Sequence, residues 1–81
     1  MLTGRYGKNI SGQRIAEARG RLKPPITQEG LSGKLALVGI QLDRAAIAKI
    51  EVGRRRVLDF ELKALASVLC VSLEWLLGGD Q

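Results

Sequence analysis

The sequence contains no histidine, and it has one cysteine, one phenylalanine, one tryptophan and one tyrosine. Without histidine there is no imidazole to act as a general base, to complete a catalytic triad or to bind a metal ion. The single thiol, Cys70, excludes an internal disulfide and a zinc site built on Cys-x-x-Cys pairs. We expect Cys70 to be a small core residue with an inert thiol. The sequence predicts no enzyme, no cofactor and no metal site.

Long apolar stretches are also missing. No run approaches the ~18 residues of a membrane span. The first residues, MLTGRYGKNISG, lack the apolar segment of a signal peptide. A lone cysteine fits a reducing compartment, so we expect a cytoplasmic protein. The chain has 81 residues, 46% of them apolar, which is room for one domain with a modest core.

Acidic residues are few beside basic ones. Thirteen Lys and Arg against eight Asp and Glu give a net charge of +5. This surplus favours a polyanionic partner, and nucleic acid more than a membrane surface. Residues 1–10, which include Arg5 and Lys8, are predicted to form a flexible basic arm. The domain itself is predicted over residues 11–79.

Apolar residues recur at three- and four-residue spacing, which predicts an all-α fold. Five short helices are expected, and their predicted capping residues are Ser11, Thr27, Asp43, Asp59 and Ser72. Pro24 and Pro25 end the first helix, and glycines at 39, 53 and 78 end the second, third and fifth. The predicted inward positions are Ile15, Ala18, Leu22, Leu31, Leu35, Val38, Ile47, Ile50, Leu62, Leu65, Ala66 and Leu69.

The third helix has an unusual outer face. If its two isoleucines face the core, the opposite face presents Ala45, Ala48 and Lys49, and Arg44 stands at the first turn. Arg and Lys can donate hydrogen bonds to guanine, and alanine methyls can contact the thymine methyl. Two helices joined by a short connection in a small basic domain favour a helix-turn-helix.

Three motifs then follow one another in the sequence: TQE at 27–29, KIExGRR at 49–55 and ELxALAxxLxVSxxWLL at 61–77. Over residues 12–78 the chain resembles the helix-turn-helix family of Xre-like, Cro and phage-repressor proteins. The resemblance implies a compact five-helix bundle of the lambda-repressor-like DNA-binding type, with the helix-turn-helix in helices 2 and 3. It implies a bacterial or phage transcriptional regulator, expected to be a repressor. Such a protein would be nucleoid-associated and would bind double-stranded DNA as a homodimer.

The same resemblance implies which residues touch the DNA backbone. Gln28, beside the cap residue Thr27, would hold a phosphate and support the third helix. After the third helix, further phosphates would be clamped by Arg54, Arg55 and Arg56.

Base reading is implied for the start of the third helix, at Arg44 and Ala45, and one turn later at Lys49. Family members also pair an arginine of the first helix with a glutamate near the end of the third, here Arg19 with Glu51. Helical angle places this carboxylate at the edge of the core, where an unpaired charge is costly.

The chain departs from the family between helices 2 and 3, where extra residues fall within 36–42. We expect either another turn on helix 2 or a longer connection. Candidates for a dimer surface are Phe60, Trp75 and Leu77, although Trp75 and Leu77 fit a core position equally well. An alternative function is an antitoxin or another protein-interaction module on the same fold.

Overall fold

The computed structural model describes residues 7–79, and within that range the chain forms five α-helices and no strand. The helices are α1 (Gly12–Arg21), α2 (Gln28–Leu37), α3 (Arg44–Glu51), α4 (Asp59–Leu69) and α5 (Leu73–Leu76). The predicted all-α class with five short helices is confirmed. None of the helices in this range is long and apolar enough to cross a membrane.

Three of the predicted helix caps are confirmed. The side-chain oxygens of Thr27, Asp43 and Ser72 accept hydrogen bonds from backbone N–H groups in the first turns of α2, α3 and α5, at 2.9, 2.8 and 3.0 Å. Each bond satisfies a donor that the helix itself cannot pair. Local sequence was sufficient here because the capping oxygen belongs to the residue at the helix boundary.

The other two predicted caps have different outcomes. Ser11 is the N-cap residue of α1, as predicted, but its side chain makes no capping bond. The Asn9 side chain accepts instead, from the N–H groups of Ser11 at 3.0 Å and Gly12 at 2.7 Å. The prediction for Asp59 is wrong. Asp59 is the first residue of α4 rather than its cap. The Glu61 carboxylate of the first turn accepts from the N–H of Leu58 at 3.0 Å instead.

Helix α3 ends in a turn that requires a left-handed residue. Gly53 has φ +81°, and its N–H donates to the Ile50 carbonyl while the next N–H, of Arg54, donates to the Lys49 carbonyl. This pair of bonds satisfies the last carbonyls of the helix. The same pattern ends α2, α4 and α5. It also fixes the direction in which the arginine run leaves α3.

The left-handed position at the end of α4 is occupied by Cys70, with φ +61°. Its side chain is exposed, so the prediction of a core cysteine is wrong. The helical spacing that puts Leu69 inward ends one residue earlier, and the chain reverses direction at Cys70.

Every helix contributes to one core. The fully buried large side chains are Ile15, Leu31, Leu35, Ile47, Ile50, Leu65, Leu69 and Leu76. Burying each is worth about 1.5–3 kcal/mol relative to leaving it in water. Val38 was predicted to face inward, but it is 54% exposed because α2 ends at the residue before it.

The extra residues between α2 and α3 lie mostly in the connection, which spans residues 38–43. Of the two expected arrangements, the longer connection is therefore the one observed. Leu42 is buried and Ile40 packs against the core, so the connection is anchored at two points. The start of α1 packs closely against the end of α3 at Gly12. A Cβ at this position would collide with the Ile50 carbonyl, so the contact requires glycine.

Candidate nucleic-acid interface

The outer face of α3 is exposed and lacks acidic groups. Arg44, Ala45 and Lys49 are exposed, and Ala48 is half-buried beside them. The face is held outward by the two buried isoleucines on the opposite side of the helix. The only carboxylate within α3 belongs to Glu51, and its side chain is 7% exposed. The face can therefore approach an anion without carboxylate repulsion from α3 itself.

Glu51 is the centre of a small polar network. Its carboxylate accepts from Arg19 through Nε at 2.8 Å and Nη2 at 3.0 Å, and from Gln28 Nε2 at 2.9 Å. Arg19 Nη1 also donates to the Ile26 carbonyl at 2.9 Å. The structure thus contains the ion pair that was predicted between Arg19 and Glu51. The hydrogen bond to Glu51 raises the Arg19 pKa above its ordinary value, against the opposing effect of burial.

Gln28 lies at the start of α2 and is the link between α2 and α3 in this network. Its side-chain N–H donates to the Glu51 carboxylate. This bond ties the start of α2 to the end of α3, which is the kind of support predicted for the third helix. Thr27, Gln28 and Arg44 line one shallow depression together with Arg19 and Glu29. The first residues of both helices therefore share one surface.

The arginine run after α3 is not uniform. Arg54 and Arg56 are exposed, whereas Arg55 bonds to Glu61 through Nη1 to Oε1 at 3.0 Å and Nη2 to Oε2 at 3.2 Å. Arg55 Nη1 also donates to the Arg56 carbonyl at 2.7 Å. The side chain of Arg55 is 32% exposed and that of Glu61 only 7%. Arg55 was predicted to clamp a phosphate with Arg54 and Arg56; in the structure its guanidinium is paired with a buried carboxylate.

Glu61 was missed by the sequence analysis. It stands four residues before Leu65 and eight before Leu69, so an acid occupies the apolar stripe of α4 six residues after Arg55. That pattern is the signal that would have revealed the pair. Burial alone would raise the Glu61 pKa, but the hydrogen bonds from Arg55 and from the Leu58 N–H outweigh it and lower that pKa. The bond to Glu61 raises the Arg55 pKa.

Two residues of the predicted flexible arm are bound to the domain. The Lys8 N–H donates to the Gly53 carbonyl at 2.8 Å, and Asn9 Nδ2 donates to the carbonyls of Ile50 at 3.0 Å and Arg55 at 2.8 Å. The domain therefore begins before residue 11. The rest of the predicted arm, residues 1–6 with Arg5, lies outside the described residues.

A second shallow depression lies beside these bonds. It is lined by Lys8, Arg54, Arg55, Arg56 and Leu58. Lys8 is distant from the three arginines along the chain, so no short motif groups it with them. Among residues 7–79, no carboxylate pairs with Lys8, Arg54 or Arg56.

The three candidates for a dimer surface differ in accessibility. Phe60 is 58% exposed and Leu77 is 48% exposed. Trp75 is half-buried, and the guanidinium groups of Arg14 and Arg21 stand over its ring at 4.5 and 5.1 Å from the centroid. These contacts are cation–π interactions, so one face of the indole is covered by α1 rather than left open to a partner.

Within the described range no cluster of His, Cys, Asp or Glu could hold a metal ion. Comparisons with protein-family models, with curated proteins and with solved structures find no match to this chain.

Proposed function

We propose that the protein is a sequence-specific DNA-binding transcriptional regulator that acts as a repressor and places α3 in the major groove. The observation that carries the proposal is the position of α3 between the two depressions. Arg44, its first residue, lines one of them, and Arg54, just beyond its end, lines the other. With its side chains an α-helix is about 10–12 Å across. The B-DNA major groove, about 12 Å wide, therefore admits α3. The residues of the two depressions that flank α3, Thr27 and Gln28 on one side and Arg54 on the other, would then lie near phosphates at the edges of the groove.

The exposed face of α3 supports direct base reading in this proposal. Arg44 and Lys49 donate hydrogen bonds to guanine O6 and N7, and Ala45 and Ala48 contact thymine methyl groups. Glu51 is turned inward, so the residues of α3 itself add no exposed carboxylate to this contact. The exposed carboxylates nearby belong to Asp43, which caps α3, and to Glu29, which lines the depression with Arg44.

The phosphate contacts in the proposal come from the flanks. Thr27 and Gln28 bring the start of α2, where backbone N–H groups point outward and favour anions, to the DNA backbone. On the other side, the side chains of Arg54 and Arg56 are exposed and form no ion pair with a carboxylate of the described residues. Arg55 positions the loop through Glu61 instead of acting as a free cation.

The proposal includes the lambda-repressor-like arrangement, in which α2 and α3 form the helix-turn-helix. A homodimer through Phe60 and Leu77 would bind two half-sites about 34 Å apart or a multiple of that distance. Repression would follow from occlusion of a promoter by the bound dimer.

The first experiment is selection of the protein's target from randomised duplex DNA, followed by fluorescence anisotropy at two salt concentrations. Enrichment of a palindrome with a steep salt dependence supports a dimeric regulator. Salt-dependent binding without an enriched sequence would reduce the proposal to general DNA coating. Absence of binding at low salt would refute it.

A protein-interaction module, such as an antitoxin, is the second candidate function. It is favoured by large apolar side chains left in solvent, above all Leu37 at 86% and Val52 at 70% exposure, with Phe60 at 58%. Sedimentation of the protein at high salt, which shows whether it forms a complex with another protein, discriminates between the two functions. A stable stoichiometric complex with a protein partner, together with no DNA binding, would favour the module.

A further inference from the structure

The segment before α1 is fastened to the end of α3. One backbone bond joins Lys8 to Gly53, and the Asn9 side chain reaches the carbonyls of both Ile50 and Arg55. Asn9 also accepts the first N–H groups of α1. All four hydrogen-bonding positions of its amide are thus in use, which fixes the backbone on both sides of it.

This fastening brings a fourth basic residue to the arginine run. Lys8 lines the same depression as Arg54 and Arg56, and all three side chains are exposed. Arg55, the remaining cation there, is neutralised by Glu61. Like charges held together at one surface repel each other, and an anion placed among them removes that cost. The depression, which two distant parts of the chain build, therefore favours an anion over a cation.

We propose that Lys8 is a phosphate-contacting residue of the DNA interface and completes this site with Arg54 and Arg56. The inference rests on the proposed function and extends it. The ligand is the DNA phosphate backbone just beyond the C-terminal end of α3. Lys8 supplies charge without reading bases, because phosphate contacts carry no sequence information of their own.

The test compares Lys8→Gln with the matched surface variant Lys63→Gln. Both remove one lysine charge, and Lys63 is exposed on α4 without lining either depression. Anisotropy is measured on the selected duplex and on an unrelated duplex over about 50–200 mM salt. Thermal unfolding checks that each variant is folded. Lys8→Gln is expected to fold normally, because the bond from Lys8 to Gly53 uses the backbone N–H and survives the substitution.

The expected result is that Lys8→Gln lowers the salt slope of log K by about 0.9 per bound protomer on both duplexes. Lys63→Gln leaves the slope unchanged, and Lys8→Arg restores it. If Lys8→Gln behaves like Lys63→Gln while the wild type binds DNA, this inference fails and the proposed function stands. An affinity loss on the selected duplex alone would also overturn it. If the wild type shows no salt-dependent binding, both fail together.

Discussion

Arg55 and Glu61 are joined by two hydrogen bonds across the start of α4, at 3.0 and 3.2 Å. The middle of three consecutive arginines is therefore half-buried and paired with a buried carboxylate, while its two neighbours remain exposed. A run of identical residues thus divides into one residue that holds the loop and two that face solvent. The distinction is invisible in the sequence of the run itself.

Replacing Arg55 with alanine is expected to destabilise the fold by about 2–3 kcal/mol, because it leaves the Glu61 carboxylate buried without its cation. This cost is below the roughly 3–5 kcal/mol for breaking a fully buried pair, because the Arg55 side chain is 32% exposed. Urea unfolding measures the change. Arg56→Ala is the control and should alter stability by less than about 0.5 kcal/mol. Equal effects of the two substitutions would contradict the assigned roles.

The same pair makes stability depend on pH in the acid range. The Glu61 pKa is lowered in the folded state, so the folded protein releases this proton more readily than the unfolded chain. Stability from the pair is therefore fully present above the unfolded value of about 4.3 and is lost as pH falls through the lower folded pKa. In Glu61→Gln this contribution is missing. The difference in unfolding free energy between wild type and variant should shrink between neutral and acid pH, and a constant difference would refute the assignment.

The hydrogen bonds that Arg19 and Gln28 donate to Glu51 should stabilise the fold by holding the end of α3 against α1 and α2. Glu51→Gln weakens the charged hydrogen bonds to Arg19, at an expected cost of about 1.5–3 kcal/mol. Gln28→Ala removes one bond to the same carboxylate and should cost about 1 kcal/mol. A double-mutant cycle in urea measures their coupling. If Gln28 acts only on phosphate, Gln28→Ala will leave stability unchanged.

Within the proposed function, two arginines near the ends of α3 should behave differently on DNA. Arg44→Ala is expected to relax one base position, with a cost of about 1–3 kcal/mol confined to that position. Arg54→Ala should weaken binding to all duplexes alike and reduce the salt dependence. Anisotropy on single-base variants of the selected site distinguishes them. An equal loss on every variant for Arg44→Ala would exclude base reading.

Cys70 offers a prediction that does not depend on DNA. An ordinary residue held at positive φ costs about 1–2 kcal/mol, and glycine avoids that cost at some expense in the unfolded chain. Cys70→Gly is therefore expected to stabilise the protein by about 0.5–1 kcal/mol in thermal or urea unfolding. Cys70→Ala keeps the unfavourable backbone and is the control. A destabilised glycine variant would show that the exposed thiol makes a contact of its own.

The sequence was informative wherever the controlling interaction is local. Thr27 and Asp43 cap the helices that they precede, and the buried isoleucines of α3 determine its outer face. The pairing of Arg19 with Glu51 was also accessible, because the family resemblance implied it and a carboxylate at the core edge requires a cation.

Prediction failed where the partner is distant along the chain or where a helix ends. Asn9 replaces Ser11 as the effective cap because tertiary contacts with the end of α3 place its side chain there. Cys70 and Val38 lie just past the ends of their helices, where helical periodicity no longer determines burial. Lys8 joins the basic depression only through the folded backbone, which no short motif records.

The hydrogen bonds of the Asn9 amide would affect the kinetics of the proposed DNA binding. This amide holds the carbonyl of Arg55 from the amino-terminal side, while Glu61 holds the same residue from α4. The backbone of this loop is thus restrained from both directions in the free protein. If the protein binds DNA as proposed, little backbone freedom of the loop would be lost on association, which would preserve affinity. The encounter rate would then be set by diffusion and electrostatic attraction rather than by a search for the correct loop shape.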